Sequence, residues 1–276
     1  MPTLFHRTGP HPRLSGHRGN SLHAPENTLP ALDAVRAAGG NAAEIDIVLT
    51  ADEQIVVMHD LLVDRTTNGT GAVADLTLAE VRALDAGAWF SPAFAGTQVP
   101  TLAEALAHAR AHDLVLEVEV KEKRNLAGMA TALAAALADP ADRARAMLIS
   151  FDHRWLGDFK AGLPGVLTAG IVHERYGDPL AVARSADLDQ LSIDLAVWDA
   201  DQARVLREAG LGLRCHAYAP DRIAAMERAG LDPRGVLVDS LRAGLIDTLS
   251  GDDVGWLATL AATAPCDGTS PRRATL

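Results

Sequence analysis

Leu114-Val-Leu-Glu-Val-Glu-Val-Lys121 is the stretch on which the fold turns. Successive side chains of an extended strand point to opposite faces, so Glu117, Glu119 and Lys121 share one face and Val118 and Val120 the other. Inward-facing carboxylates near strand ends are where barrel enzymes place their reactive groups. The run therefore predicts one strand of a parallel barrel, with its charged face towards a site.

Outward from this run, short apolar segments of β type alternate with longer Ala/Leu/Arg-rich segments whose apolar residues recur at helical spacing. Strands are expected near Leu14 to His17, Ala43 to Val48, Leu114 to Val120, Ala146 to Phe151, Val166 to Ile171, Gln190 to Ile193, Gly212 to His216 and Gly235 to Val238. Asn27-Thr28 can cap a helix running to Gly39-Gly40, and Thr101 can open one through Glu104 and Leu106 to about His112. Later helices are expected over Leu126 to Leu137, His153 to Phe159, Pro179 to Ser185, Asp201 to Ala209, Asp221 to Ala229 and Leu241 to Leu260. Repeated βα units give an α/β fold, either a closed (β/α)8 TIM barrel or an open doubly wound sheet, and the motif positions favour the barrel. Between the second and third units, about 61–99 is rich in Thr, Gly, Asp and Pro and too long for a simple connection, which predicts a small inserted cap beside the site. The Pro/Ser/Thr/Arg-rich tail, about 261–276, is expected to be disordered, and the N-terminal stretch with His6 and His11 mobile.

A second pair of acids carries the same signal. In Glu44-Ile-Asp46 both carboxylates point to one face of an apolar strand, where they would repel unless a hard divalent cation bridged them. Glu119 could complete an oxygen-ligand set with them, and Lys121, nearer the strand's C-terminal end, could meet a phosphate oxygen. The plainer reading makes Glu119 and Lys121 a structural ion pair. His17 and His59 sit at comparable strand ends, suited to proton transfer at neutral pH. Arg18 offers a planar donor fork for an anionic oxygen. His108 and His112, on a helix, read as solvated.

A single domain spanning 1–276 fits the 276 residues, of which 48% are hydrophobic and 22% charged. The net charge of -11 argues against a clamp on nucleic acid or anionic lipid, while leaving room for a local anion site. Cys215 and Cys266 have neither zinc nor disulfide-framework spacing. No segment has the length and apolarity of a signal peptide or membrane span, so the chain reads as cytoplasmic and without stable membrane insertion. Oligomeric state is not legible.

At this point the motifs resemble a known family, the glycerophosphodiester phosphodiesterases. Gly16-His-Arg-Gly-Asn-Ser-Leu-His-Ala-Pro-Glu-Asn-Thr28 is similar to the family's opening, and Glu44-Ile-Asp46 with Thr50-Ala-Asp-Glu-Gln-Ile-Val-Val-Met-His-Asp60 to its second block. Asp64-Arg-Thr-Thr-Asn-Gly-Thr-Gly71, Asp75 to Val81 and Val99 to Leu106 resemble its inserted segment, which related sphingomyelinase-D-like enzymes lack. Glu119-Val-Lys121 and Ser150-Phe151 match shorter motifs. The resemblance runs from about Leu14 to Val238 and is dense to Lys121.

It implies a metal-dependent hydrolysis of a small-molecule phosphodiester. Glu44, Asp46 and Glu119 would ligate Mg²⁺ or Ca²⁺, His17 and His59 would form the acid/base pair, and Arg18 and Lys121 would bind the phosphate. His17 is read as base and His59 as acid, an order that spacing leaves open. Glu26 and Asn27 match the motif but could simply hold the first loop, the reading favoured for Glu26. Two departures stand out. Cys215-His-Ala-Tyr-Ala-Pro220 replaces the family's Trp-Thr-Val-Asn stretch, which loosens the inference to glycerol. Glu117 is charged where the family tends to be neutral; it could be an extra ligand, a partner of Lys121 or a supporting group. Alternatives are a lysophospholipase D-like or sugar-phosphodiester hydrolase on the same site, or a non-catalytic metal- and anion-binding barrel. A barrel isomerase or aldolase is disfavoured, because Gly235-Val-Leu-Val-Asp239 carries neither a lysine nor a glycine cluster.

Overall fold

A computed structural model describes residues 4–7, 9–264 and 266. Its strands are β1 (Arg13–Gly16), β2 (Ala42–Leu49), β3 (Ile55–Val57), β4 (Val115–Val120), β5 (Ala146–Ser150), β6 (Leu167–Val172), β7 (Gln190–Asp194), β8 (Gly212–His216) and β9 (Thr248–Gly251). Eight of them pair in parallel in the order β1-β2-β4-β5-β6-β7-β8-β9, and β9 returns to β1, so the sheet closes. Helices follow the strands and pack outside them, the (β/α)8 architecture that the alternating pattern predicts.

The helices start where side chains can satisfy orphaned N–H groups. The Thr28 hydroxyl accepts from Ala31 N at the head of helix Leu29–Ala37. Thr101 and Glu104 form a reciprocal capping box on helix Leu102–Ala111.

β3 is the strand outside the barrel. It folds back antiparallel on β2, with Ile47 opposite Val57 and Leu49 opposite Ile55. Met58 N then donates to Asp46 O at 2.9 Å, which brings His59 back to the end of β2. The segment beyond builds its own apolar cluster, in which Val63, Val73, Val81 and Ala86 pack with Val48, Val56, Met58 and Val99.

Four expectations need correction. The run Gly235 to Val238 is not the last barrel strand but lies in helix Pro233–Arg242. Asp232 caps that helix by accepting from Gly235 N, Pro233 takes a first-turn position, and the buried Val236, Leu237, Ser240 and Leu241 follow helical spacing. The last strand is β9, inside the single long helix expected over Leu241 to Leu260. Gly244, at φ 70°, ends the first helix, and Asp253 caps the next, Val254–Ala262. β9 escapes a hydrophobicity reading because its inward residues, Thr248 and Ser250, are polar.

The tail and the N-terminus differ too. Ala261 and Ala264 are buried, so the ordered chain extends past the expected boundary, and the remainder of that expectation lies outside the described residues apart from Cys266. Phe5 is buried in a cluster with Ala42, Val115, Met147 and Ala169. Ala42 and Val115 open β2 and β4, so Phe5 closes the bottom of the barrel. Arg7 N donates to Asp247 Oδ1 at 3.1 Å, fastening this stretch.

Candidate active site

Register decides which acids meet. Glu44 lies opposite Glu117 and Asp46 opposite Glu119 on the neighbouring strands β2 and β4, so four carboxylates point inward in two rungs. The lower Glu117 is claimed by Arg214 of β8, whose Nε donates to Glu117 Oε2 at 2.8 Å. The same guanidinium donates to Ser192 Oγ at 2.7 Å and Ser250 Oγ at 2.6 Å, and Ser15 Oγ donates to Glu117 Oε2 at 2.7 Å. This buried network ties five barrel strands across the interior. Of the Glu117 alternatives, the partner is Arg214 and not Lys121; Glu117 Oε1 has no hydrogen bond, but the converging ligand group consists of Glu44, Asp46 and Glu119.

Glu44, Asp46 and Glu119 remain. Each offers an oxygen within 4.8 Å of the others. All three are buried, and Glu44 Oε1 and Asp46 Oδ1 have no hydrogen-bond partner. Buried carboxylate oxygens without a donor are costly unless a cation meets them. Burial, with Asp46 and Glu119 beside it, pushes the Glu44 carboxyl well above the usual carboxylate range. Glu119 is raised by burial and Asp46, against the pull of Lys121. The donor set is all oxygen, which suits a hard ion such as Mg²⁺ or Ca²⁺.

The outer oxygens of the cluster are held from the first loop. Arg18 N donates to Glu44 Oε2 at 2.8 Å, and Asn27 Nδ2 to Asp46 Oδ2 at 2.8 Å, while Asp46 N returns a bond to Asn27 Oδ1 at 3.0 Å. Arg18 and Asn27 sit at φ 58° and 59°, the left-handed region that bends this loop back over β2. Glu26 accepts from Arg18 at 3.0 Å and from two Arg65 nitrogens at 2.8 and 2.7 Å, tying the loop to the inserted segment.

The cations lie on this cluster. Lys121 Nζ is 2.5 Å from Glu119 Oε1 and 3.4 Å from Asp46 Oδ1, so the ion pair foreseen as the plainer reading does form, but within the acidic cluster. Burial opposes its charge, yet Asp46 and Glu119 outweigh burial and hold the ammonium protonated above its ordinary range. Arg18 Nε is buried, 3.6 Å from Asp46 Oδ2, and without a hydrogen-bond acceptor.

Both imidazoles are oriented by carboxylates. His17 Nδ1 is 2.7 Å from Asp252 Oδ1, and His59 Nδ1 is 2.6 Å from Asp60 Oδ1. A proton on each Nδ1 satisfies its carboxylate and leaves Nε2 free for chemistry. Asp60 is shared with Arg65, 2.6 Å from its Nε.

These groups line a cavity of about 240 Å³ at the C-terminal mouth of the barrel, with His17, Arg18, Glu44, His59, Glu119 and Lys121 on its charged side. Ile149, Phe151 and Ile171 contribute apolar lining, and His173, Asp194, His216 and Tyr218 are among the remaining lining residues. Tyr218, from the stretch that departs from the family motif, donates to Asp194 Oδ2 at 2.9 Å and sits at φ 61°. Burial, and after it the repulsion of cationic neighbours such as Arg214, pushes the His216 imidazole well below its ordinary range.

The structure thus brings together every sequence-predicted site residue. Sequence reasoning missed Asp252, Arg214, Asp194 and Arg65. Asp252 was hidden by the misplaced last strand; a lone Arg in the inward register of Gly212-Leu-Arg-Cys-His216 was the available signal for Arg214.

Fold and site define a (β/α)8-barrel enzyme with an acidic cluster fitted for a divalent cation and two carboxylate-held imidazoles. Residues 17–242 match the family model described as glycerophosphoryl diester phosphodiesterase family. A glycerophosphodiester phosphodiesterase of Caldanaerobacter subterraneus is 38% identical over 159 residues, 57% of this chain and 65% of that relative. One from Bacillus subtilis is 29% identical over 230 residues, 77% of this chain and 78% of the relative. The matched part thus spans a little under two thirds of the first relative and more of the second. A phosphodiesterase of Oleispira antarctica, solved with the product sn-glycerol-3-phosphate, superposes at a TM-score of 0.76, with 24% identity over 91% of this chain and 96% of that one. The chain belongs to the glycerophosphoryl diester phosphodiesterase family. Its enzyme class is that of the phosphoric diester hydrolases.

Proposed function

We propose that this chain hydrolyses water-soluble glycerophosphodiesters to sn-glycerol 3-phosphate and an alcohol, with Glu44, Asp46 and Glu119 holding Mg²⁺ or Ca²⁺. The observation that carries the reading is the pair of buried oxygens without a hydrogen bond, Glu44 Oε1 and Asp46 Oδ1, converging with Glu119 at the cavity. When bound, the cation offsets the negative charge of the phosphodiester and of its transition state.

The chain's own groups do the rest. Arg18 Nε, which has no acceptor, donates to a non-bridging phosphate oxygen, while Glu26 fixes the other end of the guanidinium. Lys121 gives the phosphate a second positive contact, and stabilisation of this preorganised kind is usually the largest catalytic contribution. His17, oriented by Asp252, takes the proton of the attacking oxygen. His59, oriented by Asp60, delivers one to the departing alcohol. Each supplies about 10²-fold to 10⁴-fold.

A cavity of about 240 Å³ accommodates a glycerophosphate-sized group, below the ~300–1,000 Å³ of pockets that engulf larger ligands. The apolar wall ending in the half-exposed Phe151 favours a second reading, a lysophospholipid whose acyl chain lies over that ring while the head-group alcohol is released. Two unpaired cysteines, Cys215 and Cys266, support a cytoplasmic setting.

The test is release of sn-glycerol 3-phosphate from glycerophosphocholine by purified protein, with EDTA and with Mg²⁺ or Ca²⁺ restored, beside His17→Ala and Glu44→Ala. Turnover that needs the cation and is lost in both variants is expected. Turnover of lysophospholipids alone would favour the second reading, and no turnover of either would return the binding-protein alternative.

A further inference from the structure

Away from the mouth, on the outer layer, a second group of potential ligands converges. His108 and His112 are four residues apart at the end of helix Leu102–Ala111, so their side chains lie on one helical face. Their rings stack with centroids 4.2 Å apart and planes 20° from parallel. Asp33, from the neighbouring helix Leu29–Ala37, directs Oδ1 at both: 2.9 Å from His108 Nε2 and 4.0 Å from His112 Nε2. The three groups offer ligand atoms that all lie within 4.8 Å of one another.

We propose that Asp33, His108 and His112 form a transition-metal site, taking Zn²⁺ or the similar ions Ni²⁺ and Cu²⁺, distinct from the all-oxygen cluster in the barrel. A simple ion pair needs only one imidazole; here a single carboxylate oxygen faces two. Two histidines one helical turn apart are preset to chelate one ion, as in helical zinc motifs. Ligand bonds of about 2.0–2.1 Å in a tetrahedron place ligand atoms ~3.3 Å apart, and the observed 2.9 and 4.0 Å bracket that value. Two nitrogens and one oxygen select borderline ions over Mg²⁺ and Ca²⁺, which prefer oxygen throughout.

Asp33 and His112 are largely exposed, at 56% and 45%, so the ion enters from solvent and keeps a water in its fourth position. Its ligands come from two helices packed side by side on the outer layer, which gives the ion a structural role. It clamps the helix before β2 to the helix before β4, and an ion bound only by the folded chain raises its melting temperature.

The experiment is calorimetric titration of the full chain with Zn²⁺ in excess Mg²⁺, using the unsubstituted protein, Glu44→Gln, His108→Ala and His112→Ala. It reads binding and melting, so it stands or fails apart from hydrolysis. The expected result is one Zn²⁺ per chain, retained in Glu44→Gln and weakened about 10-fold to 100-fold or more in each histidine variant. Zinc should also raise the melting temperature of the unsubstituted chain and not that of His108→Ala, both melting alike in EDTA. Zinc binding that survives in both histidine variants, or is lost only with Glu44→Gln, overturns the site.

Discussion

Arg214 Nε lies 2.8 Å from Glu117 Oε2 in the barrel interior, with both side chains buried. This pair fills the level below the candidate cation site and places a positive charge near Glu44, lowering the cost of its ionisation. Removing one member strands a buried charge. Arg214→Ala is expected to destabilise the fold by about 3–5 kcal/mol. Glu117→Gln with Arg214→Met, which removes both charges, should recover much of that. Urea unfolding of the single and double variants checks it, and losses that simply add in the double variant would show the pair is not coupled.

Asn27 makes two hydrogen bonds with Asp46: its amide donates to Asp46 Oδ2, and its Oδ1 accepts from the Asp46 backbone N–H. Asn27→Gly keeps the left-handed backbone free of strain and deletes only these bonds. Groups that orient metal ligands typically matter by about 10-fold to 100-fold, so half-maximal activity should need that much more divalent cation. A cation titration of activity reads the shift, and an unchanged midpoint would remove Asn27 from the site.

Asp252 accepts from His17 Nδ1 and thereby leaves Nε2 as a base. In Asp252→Asn the amide can donate to Nδ1 and force the proton onto Nε2. The expected outcome is a fall in kcat of about 10²-fold to 10⁴-fold with KM little changed. Steady-state kinetics separate this from a binding defect, which would appear in KM.

Asp60 is held at a pKa of about 2, below its ordinary 3.8, first by the Arg65 hydrogen bond and then by His59, against a burial that would raise it. A carboxyl lowered in the folded state stabilises it above the unfolded pKa and loses that contribution as pH falls through the folded one. Unfolding at pH 5 and near pH 2.5 should therefore show the gap between the protein and Asp60→Asn shrinking on acidification. The effect is modest, because the pair is partly solvated. A gap that widens towards acid would contradict the linkage.

Most of the candidate site was legible because it sits on short motifs. His17-Arg18, Glu44-Ile-Asp46, His59-Asp60 and Glu119-Val-Lys121 each place two functional groups within three residues, where local periodicity fixes their common face. The last strand was not legible, for a physical reason. Ser250 meets a buried guanidinium, Arg214 Nη2 donating to its Oγ at 2.6 Å, and Thr248 lies two residues before it on the same strand, so hydroxyls stand where an apolar barrel would show Val or Ile. Gly235-Val-Leu-Val238 was the opposite case, an apolar run whose helical state was set by the Asp232 cap and by burial against the core.

The sequence by itself determined the βα alternation, the helix starts at Thr28 and Thr101, and the shared face of Glu44 with Asp46 and of Glu117 with Glu119. Each follows from side-chain direction and hydrogen bonding within a few residues. Only the tertiary structure decided that Glu119 joins the cation cluster while Glu117 turns to Arg214, 97 residues along the chain. It also set Asp252 on His17 and Asp33 on His108. Those choices depend on strand register and on closure of the barrel, which long-range packing fixes and local periodicity cannot.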